Sequence, residues 1–164
     1  MKILVLSDTH GDKVRMEQVI SSNHHVDLII HCGDSELEAT YFENREIQIV
    51  RGNCDFEKHY PMERIMELKN EKFLIVHGHM HNVKSTLMPL YYRAKEVEAT
   101  VVCFGHSHIL GAEIQDDILF INPGSLTNPR GRREKSYALL EKKASSWIVT
   151  FFNEQNLELE KVIF

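Results

Sequence analysis

The residues in this chain best suited to chemistry are aspartates and histidines that follow short apolar runs. The first group is the turn Ser7-Asp8-Thr9-His10-Gly11, directly after Lys2-Ile3-Leu4-Val5-Leu6. A buried strand ending in Asp-x-His presents a carboxylate and an imidazole at the carboxyl edge of a sheet, where open α/β sheets place their ligands. Two residues apart, a hard oxygen and a borderline nitrogen can reach one cation. Four more strand ends repeat the device: Gly33-Asp34, Gly52-Asn53, His77-Gly78-His79 and Gly105-His106-Ser107-His108. They offer two carboxylates, one amide and several imidazoles. No thiolate set accompanies them, which excludes a Cys-rich structural zinc site. Mixed oxygen and nitrogen donors suit Mn, Fe, Zn, Ni or Co. Seven such ligands are too many for one ion and fit two. A carboxylate can bridge ions ~4 Å apart, as in two-metal hydrolases, and Asp34 is assigned as that bridge. Glycine beside the candidate ligands lets the backbone turn sharply there.

The elements that must position these groups follow from periodicity and breakers. Residues 2–6, 26–30 and 47–50 read as buried strands, with helices over 12–22 and 36–42 between them. Strand–helix–strand–helix–strand is the pattern of parallel strands with right-handed crossovers. The rhythm changes near Pro61. Residues 64–68 and 73–76 read as a hairpin, and 100–104 as another buried strand. A helix runs to about Glu96, capped by Ser85 or Thr86, with Pro89 in its first turn. Its Leu87, Leu90 and Tyr91 form a core stripe. A second hairpin covers 110–114 and 118–121, and 136–140, 147–152 and 157–163 read as antiparallel strands. Two sheets face to face, each covered by helices, accommodate this order. So does one large mixed sheet.

At 164 residues the chain is expected to form one domain, 1–164. The net charge of −5 gives no global pull toward nucleic acid or anionic lipid. No apolar run approaches the roughly 20 residues of a membrane span. The amino-terminal run reads as a strand and not as a signal peptide. Three cysteines without CxxC spacing argue against a disulfide framework and for a reducing cytoplasm.

The order Asp-x-His, Gly-Asp, Gly-Asn, His-Gly-His, Gly-His-x-His resembles the calcineurin-like metallophosphoesterase superfamily. It is most similar to the small bacterial and archaeal members, the YfcE-like phosphodiesterases. The motifs run from Asp8 to His108, and Asn122-Pro123-Gly124-Ser125 also fits. The resemblance implies an α/β fold, a four-layer αββα sandwich of two mixed β-sheets flanked by helices. It implies two divalent metal ions, Mn first and Ni, Fe, Zn or Co as alternatives. Asp8, His10 and His108 would bind one ion, Asn53, His77 and His106 the other, with Asp34 bridging and holding a hydroxide between them. The implied activity is hydrolysis of a small phosphodiester, and the implied assembly a dimer or larger. Many members carry His after the metal-binding Asn; this chain has Cys54. A thiol of pKa ~8.5 is a poor general acid here. That leaves His79, a water on a metal, or no acid at all.

Plainer readings compete at several positions. His24, His25, His31, His59 and His81 read as core, edge or loop residues, and Cys32 and Cys103 as small buried hydrophobes. Cys54 reads as passive. Asn122-Pro123-Gly124 is either a simple turn or a source of amides facing the site. Arg130, Arg132 and Arg133 form either a solvated loop or a phosphate contact. Two alternatives to a phosphodiesterase remain: a phosphomonoesterase on the same site, or a non-catalytic protein-binding scaffold of this fold. Polynucleotide is disfavoured as substrate, because nuclease relatives carry extra DNA-binding domains.

Overall fold

The computed structural model describes residues 1–43 and 45–164. Lys2–Leu6 forms β1, and Ile3 to Leu6 are fully buried because both faces of this strand are covered. It pairs in parallel with β2 (Leu28–His31), which pairs in parallel with β3 (Ile47–Ile49). Helix α1 (Lys13–Ser22) follows β1, and the Asp12 side chain accepts from the Arg15 amide at its start. The short α2 (Ala39–Phe42) lies between β2 and β3. On the other side of β1 the sheet continues antiparallel through β9 (Tyr137–Lys143), β10 (Ser146–Phe152) and β11 (Glu158–Ile163).

The second sheet has the order β4 (Glu63–Leu68), β5 (Glu71–Val76), β6 (Val101–Cys103), β8 (Ile118–Asn122), β7 (Gly111–Gln115). Its central three strands are parallel. Both outer hairpins close through two residues with positive φ, Lys69-Asn70 and Asp116-Asp117. Helix α3 (Met88–Glu96) covers the outer face of this sheet.

Three apolar clusters establish the layering. Ile3, Val5, Ile30 and Val149 of one sheet pack against Phe73, Ile75, Val101 and Ile121 of the other. Leu4 and Leu6 pack outward on Met16 and Val19 of α1. Leu74 and Val102 pack outward on Leu90 and Ala94 of α3. Each fully buried aliphatic contributes about 1.5–3 kcal/mol by leaving water. The molecule is therefore helix, sheet, sheet, helix, which resolves the choice against one large sheet.

Two helix boundaries differ from the sequence reading. Helix α2 begins at Ala39 rather than near Glu36, because residues 34–36 wrap around the Asp55 carboxylate and Glu36 has φ +54°. Helix α3 starts from Leu87 with no side-chain cap, and Thr86 Oγ1 accepts from the Met88 amide just outside it.

Candidate metal centre

The carboxyl ends of β1, β2, β5 and β6 converge where the two sheets meet. Backbone bonds tie the loops together: Asp8 N–H donates to Gly33 O (3.0 Å), His10 N–H to Asp34 O (3.0 Å) and Gly105 N–H to His77 O (3.0 Å). Asp8, His10, Asp34, His106 and His108 all have positive φ, between 42° and 66°. Non-glycine residues rarely adopt that region, and clusters of them mark functional sites. Glycine serves proximity as well as turning. A Cβ at Gly52 would overlap the Asp34 carboxylate, and one at Gly105 would overlap Ser7 Oγ beside Asp8.

Among the described residues three groups of donors result, each with its donor atoms within 4.8 Å of one another: Asp8, His10 and His108; Asp8, Asp34 and His77; and the more exposed His10, Glu36 and Cys54. His108 Nε2 lies 3.0 Å from Asp8 Oδ1, and His10 Nε2 lies 4.0 Å from it. Among the described residues His10 Nε2, a buried atom, has no hydrogen-bond partner, and the buried Asp8 Oδ1 has only the His108 ring nitrogen near it. Buried polar atoms are normally satisfied, so the His10 nitrogen calls for a ligand. Each ring is oriented through its other nitrogen. His10 Nδ1 sits 2.6 Å from Glu36 Oε1, His108 Nδ1 2.6 Å from Asn128 O, and His77 Nδ1 2.8 Å from Cys32 O. With Nδ1–H donating to these oxygens, the Nε2 atoms face inward, as in metal sites oriented by surrounding groups.

His77 Nε2 stands 3.3 Å from Asp34 Oδ2 and 3.2 Å from His106 Nδ1. Burial alone would raise the Asp34 pKa, but His77 and the Cys54 amide outweigh it and hold the carboxyl below its ordinary range. Burial opposes ionisation of Asp8 in the same way, and His108, His77 and Ser7 outweigh it. Burial would lower His77, and Asp34 and Asp8 raise it instead. Asp8 raises His108. Burial, with the charges of His77 and Lys84, pushes His106 down to about 4.

The calcineurin-like phosphoesterase superfamily domain matches residues 1–145. The chain belongs to this family. It is 44% identical over 162 residues to the probable metallophosphoesterase YsnB of Bacillus subtilis, covering 98% of this chain and 95% of YsnB. It is 25% identical over 184 residues to the phosphodiesterase YfcE of Escherichia coli, covering 96% and 95%. Among solved structures, a predicted phosphoesterase from Streptococcus pneumoniae superposes with TM-score 0.94 at 36% identity, covering 99% of this chain and 96% of that one. The αββα sandwich anticipated from the motifs is the fold of this phosphoesterase family. The family uses divalent metals, and the donor types and the orphaned His10 nitrogen here fit such ions.

In this chain, six of the seven anticipated ligands meet: Asp8, His10, Asp34, His77, His106 and His108. The seventh, Asn53, is exposed, and its side-chain N–H donates to Cys54 Sγ at 3.2 Å. His79 sits on a single 3-10 turn, its ring centroid 5.4 Å from that of His77. Burial and the His77 charge hold its pKa below the ordinary value. Burial, then Asp34, pushes the Cys54 thiol up to about 11.

His31 is buried, accepts from the Gly33 amide through Nδ1 and meets Thr9 Oγ1 through Nε2, a structural role. His24, His25 and His59 are exposed. The Asn122–Ser125 turn acts through side chains: Asn122 donates to Gly105 O and Ser107 Oγ, and Ser125 Oγ donates to Asp8 O. Arg132 pairs with Glu160 at 3.7 Å, away from the centre.

Sequence reasoning missed Asp55. Its buried carboxylate accepts from the amides of Asp34 (2.8 Å), Glu36 (2.7 Å) and Gly52 (2.7 Å) and from Ser35 Oγ (3.0 Å). Glu36, which orients His10, was missed too. Neither residue type nor spacing separates these two from ordinary surface acids.

Proposed function

We propose that this chain is a divalent-metal-dependent phosphodiesterase acting on a small phosphodiester. The observation that carries the reading is the convergence of Asp8, His10 and His108, with His10 Nε2 buried and unpartnered among the described residues, beside the Asp34–His77–His106 group. Asp8, His10 and His108 would hold one ion and His77 and His106 a second, with Asp34 shared and Asn53 turning inward to complete the set. Divalent ions at such a site polarise phosphoryl oxygens and acidify a water.

The protein's own groups do the rest. Asp34 and Asp8 are kept ionised by their neighbours, so the centre carries the negative charge that cations need. The loops that converge there fix the donors before any substrate arrives, which lowers the reorganisation cost of reaction. Neither His79, held neutral, nor the Cys54 thiol is a strong proton donor at neutral pH. Alcohols that depart without protonation are therefore the favoured leaving groups. Relatives named phosphodiesterase support the diester over the monoester. An intact first-motif His10, its Nε2 buried, supports an enzyme over a scaffold. The three cysteines are unpaired, in keeping with a reducing cytoplasm.

Purified chain supplied with Mn should hydrolyse bis(p-nitrophenyl) phosphate about tenfold or more faster, in kcat/KM, than p-nitrophenyl phosphate. A monoester preference of that size would reassign the enzyme as a phosphomonoesterase. Metal retention without turnover of either ester would establish the scaffold.

Metal uptake should depend on pH with a definite sign. His77 and His108 are raised above the ordinary imidazole value of ~6.5, so the metal-free chain holds both protons below that pH. The His77 Nε2 proton faces Asp34 and His106, two of the proposed ligands. Binding needs the neutral rings and must release these protons. Mn affinity should rise about tenfold or more from pH 6 to pH 8, with proton release seen by calorimetry in buffers of different ionisation heat. A pH-independent affinity would remove His77 and His108 from the ligand set.

A further inference from the structure

Beside the proposed centre lies a cavity of about 440 Å³ that the metal-ligand assignment leaves unexplained. Ser107, between His106 and His108, forms part of its wall together with Asn122. These two side chains bond to each other at 2.9 Å, where the cavity adjoins the loop that carries His106 and His108. The strand register gives the direction of the cavity. Gly111 pairs with Asn122 at the site end, and Glu113 pairs with Phe120 two residues away, roughly 6–7 Å along the strand.

The two ends differ in chemistry. Lys84 and Arg130 line the cavity, and the Arg130 amide donates to His108 O. Among the described residues, neither cation has a carboxylate within 4.0 Å. Val83, Leu87, Phe104 and Phe120 supply an apolar wall, continuous with the packing of α3 on its sheet. Glu113 at the far end repels a second anion. A volume of this size, mostly apolar with a few convergent polar groups, is typical of small-molecule sites. The cavity is open at Gly111 because no side chain projects there. A Cβ added to Gly111 meets nothing within 4 Å, and its φ lies outside the left-handed region.

From this juxtaposition we infer that the cavity holds the organic substituent of the substrate, a neutral aryl or heteroaryl group whose phosphoryl end faces Lys84, Arg130 and the centre. The inference rests on the phosphoesterase reading and adds a substrate class to it. An alkyl phosphodiester would leave the aromatic floor unused. A substituent bearing its own negative charge would meet Glu113.

The test is equilibrium binding to the full chain, with Mn and without it, of phenylphosphonate and methylphosphonate, followed by calorimetry. Gly111→Phe fills the cavity without touching a proposed metal ligand. Wild type should bind the phenyl compound at least tenfold tighter than the methyl compound, and Gly111→Phe should bring the ratio near one. Its melting temperature should stay that of wild type, so that the ratio reports the cavity and not the fold. Equal affinities in wild type, or a ratio that survives Gly111→Phe, would overturn the inference. Phenyl selectivity in a protein that hydrolyses neither aryl nor alkyl phosphodiester would leave the binding site standing and remove the phosphodiesterase reading.

Discussion

Asp34→Asn should lower turnover of the Mn-loaded chain by about 10³-fold, equivalent to roughly 4 kcal/mol of lost transition-state stabilisation. The substitution is nearly isosteric, and its amide oxygen still accepts from the Cys54 N–H, which lies 2.7 Å from Asp34 Oδ1. What disappears is the charge facing His77 Nε2 at 3.3 Å and the second oxygen needed for a shared ligand. Metal content of the variant, read by elemental analysis after desalting, should fall with activity, while the circular dichroism spectrum stays that of wild type.

Stability offers an independent check. The Asp34 carboxyl is depressed in the folded chain, so its contribution is present above the unfolded value of ~3.9 and is lost as pH falls through the folded value. The melting difference between metal-free wild type and Asp34→Asn should therefore be largest near neutrality and shrink in acid. Wild-type turnover with wild-type metal content in this variant would end the shared-carboxylate assignment.

Asp55→Ala should be the most damaging change to the fold near the centre, although Asp55 is not among the proposed ligands. It strips the acceptor from three backbone amides and one hydroxyl in a buried position. Each buried donor left without a partner costs about 1–3 kcal/mol. In urea the midpoint should drop sharply at an unchanged slope. Activity should fall as well, by about 10–100-fold, the usual effect of losing a group that orients a ligand. Here the oriented residue is Asp34, a proposed ligand whose amide is anchored by Asp55. Asp55→Asn, which keeps acceptor capacity, should recover part of both losses. A urea midpoint unchanged in Asp55→Ala would show that water replaces the carboxylate at no cost.

How much of this was legible in the sequence differs by residue. The strands were readable because apolar runs such as Ile3–Leu6 and Phe73–Val76 end abruptly at polar residues. The donors at those ends were readable because Asp-x-His and His-x-His are scarce by chance and here recur in order. The packing of two sheets was not readable from periodicity. Val5 faces the second sheet and Leu6 faces α1, yet both are simply apolar. Asp55 and Glu36 were invisible for a different reason. Their roles arise from backbone amides and a ring nitrogen brought near by loops, and a carboxylate's letter carries no record of its partner. The glycine argument was partly right. Gly33, with φ +93°, turns the chain, whereas Gly52 and Gly105 are small because carboxylates and a hydroxyl crowd them.

One consequence of the sheet arrangement concerns mechanics. Asp8 and Asp34 hang from the first sheet, and His77 and His106 from the second. Between the layers the contact is greasy and non-directional, an arrangement that resists separation better than sliding. An ion gripped from both sides would act as a rivet through the two plates, stiffening the sandwich against shear along the one direction its hydrocarbon filling leaves soft.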